Sequence, residues 1–259
     1  MSQSPTARFS DRVENYVRYR PGYPPAVLDL LRTECGLRPS HIVADIASGT
    51  GVFTRLLLEN GNSVFAVEPN TAMREMGIQQ LEALQSLQSL PSNRLVSVAG
   101  TAEETTLKSA SVDFVTAAQA AHWFDLPRAR AEFARILRPE GWCVLIWNER
   151  HTASTPFLQD YEQLLLAYGT DYKEVRQRTI ATIREFFAPV RSEERVYSLR
   201  QQYDYEGLAG RLWSSSYAPL EGNPSYEPMM QELQRIFRAH AKDDTVEFEY
   251  KTRVFYGHL

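Results

Sequence analysis

Between about residues 40 and 150, two rhythms of apolar positions alternate. Short apolar runs of strand length occur at His41–Ile46, Asn62–Val67, Arg94–Val98, Ser111–Thr116 and Trp142–Trp147. Between them, apolar residues recur at helical spacing over Gly51–Asn60, Asn70–Leu90 and Pro127–Leu137. In the second of these helices Leu81, Leu84, Leu87 and Leu90 form one stripe closed by Pro91. Gly61 stops the first, and Pro139-Glu140-Gly141 follows the third. Such alternation predicts βαβ units and a parallel sheet. The strands are continuous apolar runs rather than alternating ones, as a sheet covered on both faces requires. The expected class is α/β, doubly wound.

The flanks follow other patterns. Residues 1–25 carry Phe9, Tyr16, Tyr19, Arg20 and Tyr23, punctuated by Pro21, Pro24 and Pro25. The segment is too apolar for a free tail and too Pro-broken for one helix, so it is expected to fold as a strap over the rest. A helix follows over 26–35, stopped by Gly36. After Asn148, helices are expected within 156–188, over 206–217 and over 226–240, around a strand at Arg195–Tyr205. Thr245–Tyr256 is a long alternating strand, expected to run antiparallel. The organisation this implies is one domain over 1–259, with a core at 40–150, helical cap insertions at 150–240 and a final strand at 244–257.

Composition narrows the function classes. At 259 residues, 43% hydrophobic and 23% charged, the chain is an ordinary globular sequence rather than a disordered one. A net charge of −4 indicates no basic nucleic-acid surface. No apolar run approaches the roughly 20 residues of a membrane helix, and MSQSPTARFSDRVENY lacks the apolar centre of a secretory signal. A cytoplasmic location without membrane or nucleic-acid partners is expected. Cys35 and Cys143 cannot build a disulfide framework, and the histidines at 41, 122, 151, 240 and 258 show no metal-ligand spacing. No metal is expected.

The strongest local signal is VADIASGTG at 43–51, which follows a strand and opens a helix. Gly49 and Gly51 let the backbone approach a ligand closely, and in doubly wound sheets ligands bind at the carboxyl ends of the strands. A dinucleotide fingerprint would need a third glycine where Thr54 stands, and no GK[ST] follows for a P-loop. Asp45, aimed into the turn, is a poor neighbour for pyrophosphate and a good one for a cation. Glu68 ends the next strand, where an acid can accept hydrogen bonds from both ribose hydroxyls of NAD or of an adenosyl ligand. Thr101, Ala102 and Glu103, in GTAEETTL, are placed to frame an adenine edge. Gln119, His122 and Trp123 follow the next strand and face the same crevice.

Together these residues resemble the class I S-adenosylmethionine-dependent methyltransferases. The glycine-rich turn resembles that family's first motif, Glu68 its ribose-binding acid, Thr101–Glu103 its adenine-contacting segment, and RILRPEGWCVLIWNE at 135–149 its helix–turn–strand block. YVRYRPGYP at 16–24, HWF at 122–124, IWNER at 146–150 and GRLWSSSY at 210–217 are similar to its small-molecule branch, which includes trans-aconitate methyltransferase and the quinone C-methyltransferases. The resemblance implies a mostly parallel seven-stranded sheet, Rossmann-like, with a last antiparallel strand and a helical cap. It implies S-adenosylmethionine as cofactor, held by Tyr16, Arg20, Asp45, Ala47, Ser48, Gly49, Thr50, Gly51, Glu68, Pro69, Met73, Thr101, Ala102, Glu103 and Gln119. The methyl acceptor would be a small molecule, with a carboxylic acid the first class to consider, bound by Tyr19, Trp123, Trp147, Trp213 and Tyr217. One departure is Ala47, where many members carry glycine.

Several residues keep two readings. Glu68 either binds ribose or caps the helix starting near Asn70, and Asp45 either serves the cofactor or neutralises nearby basic groups. His122 is either the general base or a ring that shapes the crevice beside Trp123. Arg20 either meets a carboxylate of cofactor or substrate or only packs the strap. Trp213–Tyr217 either contact the acceptor or end a helix with capping serines. A tRNA or protein methyltransferase and a non-catalytic cofactor-binding module are the alternative functions.

Overall fold

The computed structural model describes residues 17–87, 94–177 and 179–259. Seven strands form one sheet: β1 (Ile42–Ile46), β2 (Ser63–Val67), β3 (Leu95–Val98), β4 (Val112–Ala118), β5 (Leu137–Arg150), β6 (Glu193–Tyr203) and β7 (Val246–Gly257). Their order is β3-β2-β1-β4-β5-β7-β6. Neighbours from β3 to β5 pair in parallel, while β7 runs antiparallel to both β5 and β6. The doubly wound sheet with an antiparallel last strand is thus the observed fold. The connections are α1 (Pro25–Thr33), α2 (Val52–Glu59), α3 (Thr71–Leu87), α4 (Leu126–Ile136), α5 (Pro156–Tyr168), α6 (Tyr172–Gln177), α7 (Thr179–Phe187), α8 (Tyr205–Trp213) and α9 (Tyr226–His240).

Side-chain alternation divides the core. Ala44, Ile46, Val115, Ala117, Cys143 and Leu145 face one side of the sheet, where Ala129, Phe133 and Ile136 of α4 and Ile183, Phe186 and Phe187 of α7 cover them. Val43, Val64, Phe114, Val144 and Ile146 face the other, under Val27, Leu30 and Leu31 of α1 and Phe53, Leu57 and Leu58 of α2. Because both faces are covered, the central strands carry apolar residues on both sides. A third cluster joins Phe157, Leu158, Leu164 and Leu165 of α5, Leu208 and Leu212 of α8, and Met229, Leu233 and Ile236 of α9 to Val246, Phe248 and Tyr250 of β7.

Several boundaries differ from the sequence pattern: β6 spans Glu193–Tyr203 rather than Arg195–Tyr205, and the larger differences are at β5 and α8. β5 begins at Leu137 rather than Trp142, because Val112 pairs with Leu137 before the register shifts and Phe114 pairs with Trp142. The Pro139-Glu140-Gly141 segment is an irregularity within the strand, with Glu140 at φ +61. The helix expected over 206–217 ends at Trp213, leaving Ser214–Tyr217 in the turn after α8. Of the leucine stripe, Leu81 is buried, and Leu90 lies outside the described residues.

Candidate cofactor and acceptor site

The carboxyl ends of β1, β2, β3, β4 and β5 lie along one edge, and cross-strand bonds hold the loops that leave them. Ser48 N donates to Val67 O at 3.1 Å, Glu68 N to Val98 O at 3.0 Å, and Gln119 N to Ile146 O at 2.9 Å. The chain turns sharply after β1, with positive φ at Ala47 (+52), Gly49 (+59) and Gly51 (+83). A Cβ on Gly51 would lie 2.7 Å from Leu81 Cδ1, and one on Gly49 3.5 Å from Met73 Cε. Gly77 lets α3 approach the same turn, since a Cβ there would lie 3.1 Å from Gly49 O.

Glu68 ties the turn to the end of β2. It is 7% exposed, and its Oε2 accepts from Gly49 N at 2.9 Å while Oε1 accepts from Asn70 N at 2.8 Å. Burial pushes its carboxyl above the usual range, and those two N–H groups oppose the shift. The helix cap is Asn70, whose Oδ1 accepts from Met73 N at 3.0 Å, so that role does not fall to Glu68. Arg74 Nη1 donates to Glu68 O at 2.8 Å and Pro69 O at 3.3 Å, closing the loop.

Asp45 sits beneath the turn, 1% exposed. Its oxygens accept from Thr54 Oγ1 at 2.6 Å and Thr116 Oγ1 at 2.8 Å. Burial raises its carboxyl to about 6 against those hydroxyl bonds. Its hydrogen-bond partners are threonines rather than cations, so it braces β1 against α2 and β4. Thr54, standing where a third fingerprint glycine would be, is one of the braces.

The other predicted residues divide. Thr101 N donates to Glu104 O at 3.0 Å, Ala102 is buried, and Glu103 Oε1 accepts from Asp125 N at 2.9 Å. Gln119 has φ +59 and exchanges side-chain bonds with Asn148, accepting from its N at 2.7 Å and donating to its O at 3.3 Å. The His122 ring lies 4.3 Å from that of Trp123 and 5.0 Å from that of Trp147, bringing these three together. Tyr16 lies outside the described residues.

The strap is anchored beside this edge. Asn148 Nδ2 donates to Gly22 O at 2.9 Å, and Arg20 Nη2 donates to Ser214 O at 2.8 Å. Tyr203 OH donates to Tyr19 O at 2.7 Å, and the Tyr19 ring covers Gly210. Tyr19 OH itself donates to Glu206 Oε1 at 3.1 Å at the surface. Trp213 stacks on Tyr226 with ring centroids 6.5 Å apart, and Tyr217 meets Tyr172 at 4.8 Å.

Asn148 and Arg150 of IWNER and Arg211 of GRLWSSSY, given no individual role above, complete the surroundings with Glu162 and Tyr172, which no motif included. Arg150 Nη2 donates to Glu162 Oε2 at 2.6 Å and to Tyr172 OH at 2.9 Å. The local signal for Arg211 is an arginine among apolar and small residues, in GLAGRLW.

The fit to S-adenosylmethionine rests on this chain's own atoms. Thr50 is 2% exposed, and its Oγ1 has no hydrogen-bond partner among the described residues. It lies in the tightest part of the turn, next to two glycines and a buried carboxylate with acceptor capacity beyond its two N–H bonds. Among the described residues no group of His, Cys, Asp and Glu could hold a metal ion, and no helix is long and apolar enough to cross a membrane.

The chain is similar to known methyltransferases in sequence and in fold. Residues 44–145 match the family described as a methyltransferase domain. An uncharacterized methyltransferase of Mycobacterium tuberculosis is 42% identical over 142 residues, covering 55% of this chain and 52% of that protein. The chain thus spans about half the length of the curated relatives it matches. A type II methyltransferase candidate from Anaeromyxobacter dehalogenans has the same fold, with a TM-score of 0.65 at 21% identity, covering 93% of this chain and 98% of that one. Geranyl diphosphate methyltransferase in complex with S-adenosylmethionine superimposes with a TM-score of 0.51 at 15% identity, covering 90% and 85%. The chain is thus similar to methyltransferases in sequence over its central part, residues 44–145, and shares its fold with solved methyltransferase structures.

Proposed function

We propose that this protein transfers a methyl group from S-adenosylmethionine to a small-molecule acceptor, with carboxylic acids as the first class to test. The observation that carries the reading is the Glu68 bridge between Gly49 N and Asn70 N beside the unpartnered Thr50 hydroxyl. Bound there, the cofactor supplies an electrophilic methyl on a positively charged sulfur.

In this reading Glu68 accepts the ribose hydroxyls, the Ala47–Gly51 turn receives the amino-acid end, and Thr101–Glu103 border the adenine. Glu103 already accepts from Asp125 N, so the backbone of 101–103 and the second Glu103 oxygen remain for that contact. Asp45 holds the turn in shape. His122, Trp123 and Trp147 line the acceptor side, where His122 orients the acceptor between two indole rings. Enclosure by aromatic side chains and the strap excludes water and holds the acceptor in line, which supplies much of the rate in such transfers.

The test is calorimetric titration with S-adenosylmethionine, S-adenosylhomocysteine and NAD, followed by radiolabelled methyl transfer to a panel of small acids. Micromolar binding of both adenosyl ligands without NAD binding, and label in an acid, is expected. Binding without transfer to any small molecule would leave a cofactor-binding module or a macromolecular acceptor. No adenosyl binding would refute the reading.

A further inference from the structure

Arg211 projects from α8 into the interior, 5% exposed. Its hydrogen bonds go to Tyr250 OH at 3.3 Å, Ser215 Oγ at 3.0 Å and Ser214 Oγ at 3.5 Å, all neutral hydroxyls. The buried acids among the described residues are otherwise engaged. Glu162 bonds Arg150 and Tyr172, Glu132 bonds Arg135 and Thr105, Asp45 bonds two threonines and Glu68 two backbone N–H groups. A guanidinium taken out of water without an anionic partner is costly, and an apolar side chain of similar volume would serve the fold better.

The surroundings add positive charge. Arg150 and Arg20 flank Tyr217 together with Arg211. Desolvation alone would push the Tyr217 phenol up, yet these three arginines hold it below its ordinary range. Tyr217, Trp213 and Arg20 are only half-buried, whereas Arg211, Ser214 and Ser215 are buried. Arg20 belongs to the strap and bonds Ser214 O, and Arg150 lies two residues beyond Asn148 at the carboxyl end of β5. The cluster therefore borders the sheet edge where the cofactor site lies.

We propose that Arg211, with Tyr217 and the hydroxyls of Ser214 and Ser215 beside it, is the receptor for a carboxylate on the methyl acceptor. Among the described residues, Glu162 pairs with Arg150, whereas the hydrogen bonds of Arg211 go to hydroxyls alone. One positive charge presented by a planar fork matches a carboxylate better than a phosphate of nearly two negative charges. The proposal deepens the methyl-transfer reading and rests on it for the term acceptor, whereas the binding itself is measurable without turnover.

The experiment compares the parent protein with Arg211→Met and Arg211→Lys. The probes are butyrate, octanoate, benzoate and succinate, each beside its neutral amide, and binding is read by calorimetry and by the ligand-induced rise in Tm. The acids are expected to bind the parent and the amides to bind at least tenfold more weakly. Arg211→Met is expected to lose acid binding by tenfold or more while keeping its S-adenosylmethionine affinity, and to unfold at the parent's temperature or above. Arg211→Lys retains the charge without the fork and is expected to bind the acids with intermediate affinity, which gives a second readout if the Met variant does not fold. Absence of acid binding in the parent, equal binding of acids and amides, or full acid binding by either variant would overturn the proposal. Failure of cofactor binding alone would refute the methyl-transfer reading and leave the receptor standing.

Discussion

Replacing Glu68 by Gln tests the centre of the site with the smallest change of shape. Glu68 accepts Gly49 N and Asn70 N, one on each oxygen. Glutamine keeps one acceptor oxygen and turns an NH2 donor toward the other N–H. One charge-assisted bond, worth about 1.5–3 kcal/mol, is lost. Part of that is returned, because burial already disfavours the Glu68 charge, so the unliganded protein is expected to lose about 1–2 kcal/mol. The ligand loses more. An amide oxygen replaces a carboxylate as acceptor for the ribose hydroxyls, and the turn beneath it shifts, which corresponds to about 10- to 100-fold in Kd. Calorimetry should show the same loss for S-adenosylmethionine and S-adenosylhomocysteine, since both carry the ribose and only one carries the sulfonium charge. Urea unfolding of the same samples reports the stability term separately. A Kd within threefold of the parent for both ligands, in a folded variant, would refute the ribose assignment. A loss confined to S-adenosylmethionine would place Glu68 against the sulfonium instead.

Three further perturbations follow from the geometry. The folded carboxyl of Asp45 titrates near 6, above its unfolded value of 3.8; its cost is absent below about pH 4 and fully present above pH 6, a term of about 3 kcal/mol. Asp45→Asn should therefore gain stability relative to the parent as pH rises from 4 to 7, and a pH-independent difference in urea unfolding would contradict this. Gly210→Ala puts a Cβ 2.1 Å from Tyr19 Cε2, so the strap contact must open; a stability loss of about 1–3 kcal/mol and faster tryptic cleavage after Arg18 are expected, and an unchanged cleavage rate would count against the anchoring. Ala47 has φ +52, a conformation costing a non-glycine residue about 1–2 kcal/mol; Ala47→Gly relieves this against a chain-entropy cost of about 0.4–1 kcal/mol, so thermal unfolding should show an unchanged or slightly raised Tm, and a fall of several degrees would show that the Ala47 methyl packs usefully.

The core from β1 to β5 was legible because its determinants are local. Continuous apolar runs form strands buried on two sides, and Gly49 and Gly51 stand where the chain takes positive φ. Glu68 follows β2 directly, so its place at the sheet edge is a matter of counting along one strand. What escaped depends on pairing. Residues 245–256 alternate like any antiparallel strand, and nothing in that alternation says that β7 inserts between β5 and β6. The early start of β5 likewise depends on Val112 as its partner, since Arg138-Pro139-Glu140-Gly141 alone reads as a turn.

The arginine interior escaped for a different reason, and its one local trace lies in α8. Gly207, Leu208, Ala209, Gly210, Arg211 and Leu212 are all buried, so this helix has no solvent face over six successive positions. A helix hydrophobic all round belongs in an interior, and a charged residue within it must go inward as well. GLAGRL therefore already commits Arg211 to burial. What the local sequence cannot supply is the partner, because the residues around Arg211 come from β7 and from the turn after α8, while a buried acid of α5, Glu162, is held by Arg150 from β5. Had Glu162 reached Arg211 instead, the arginine would be an ordinary internal ion pair. Because Arg150 takes that acid, the positive charge is displaced onto α8, beside the strap and the half-buried Tyr217, where the proposed acceptor carboxylate would meet it.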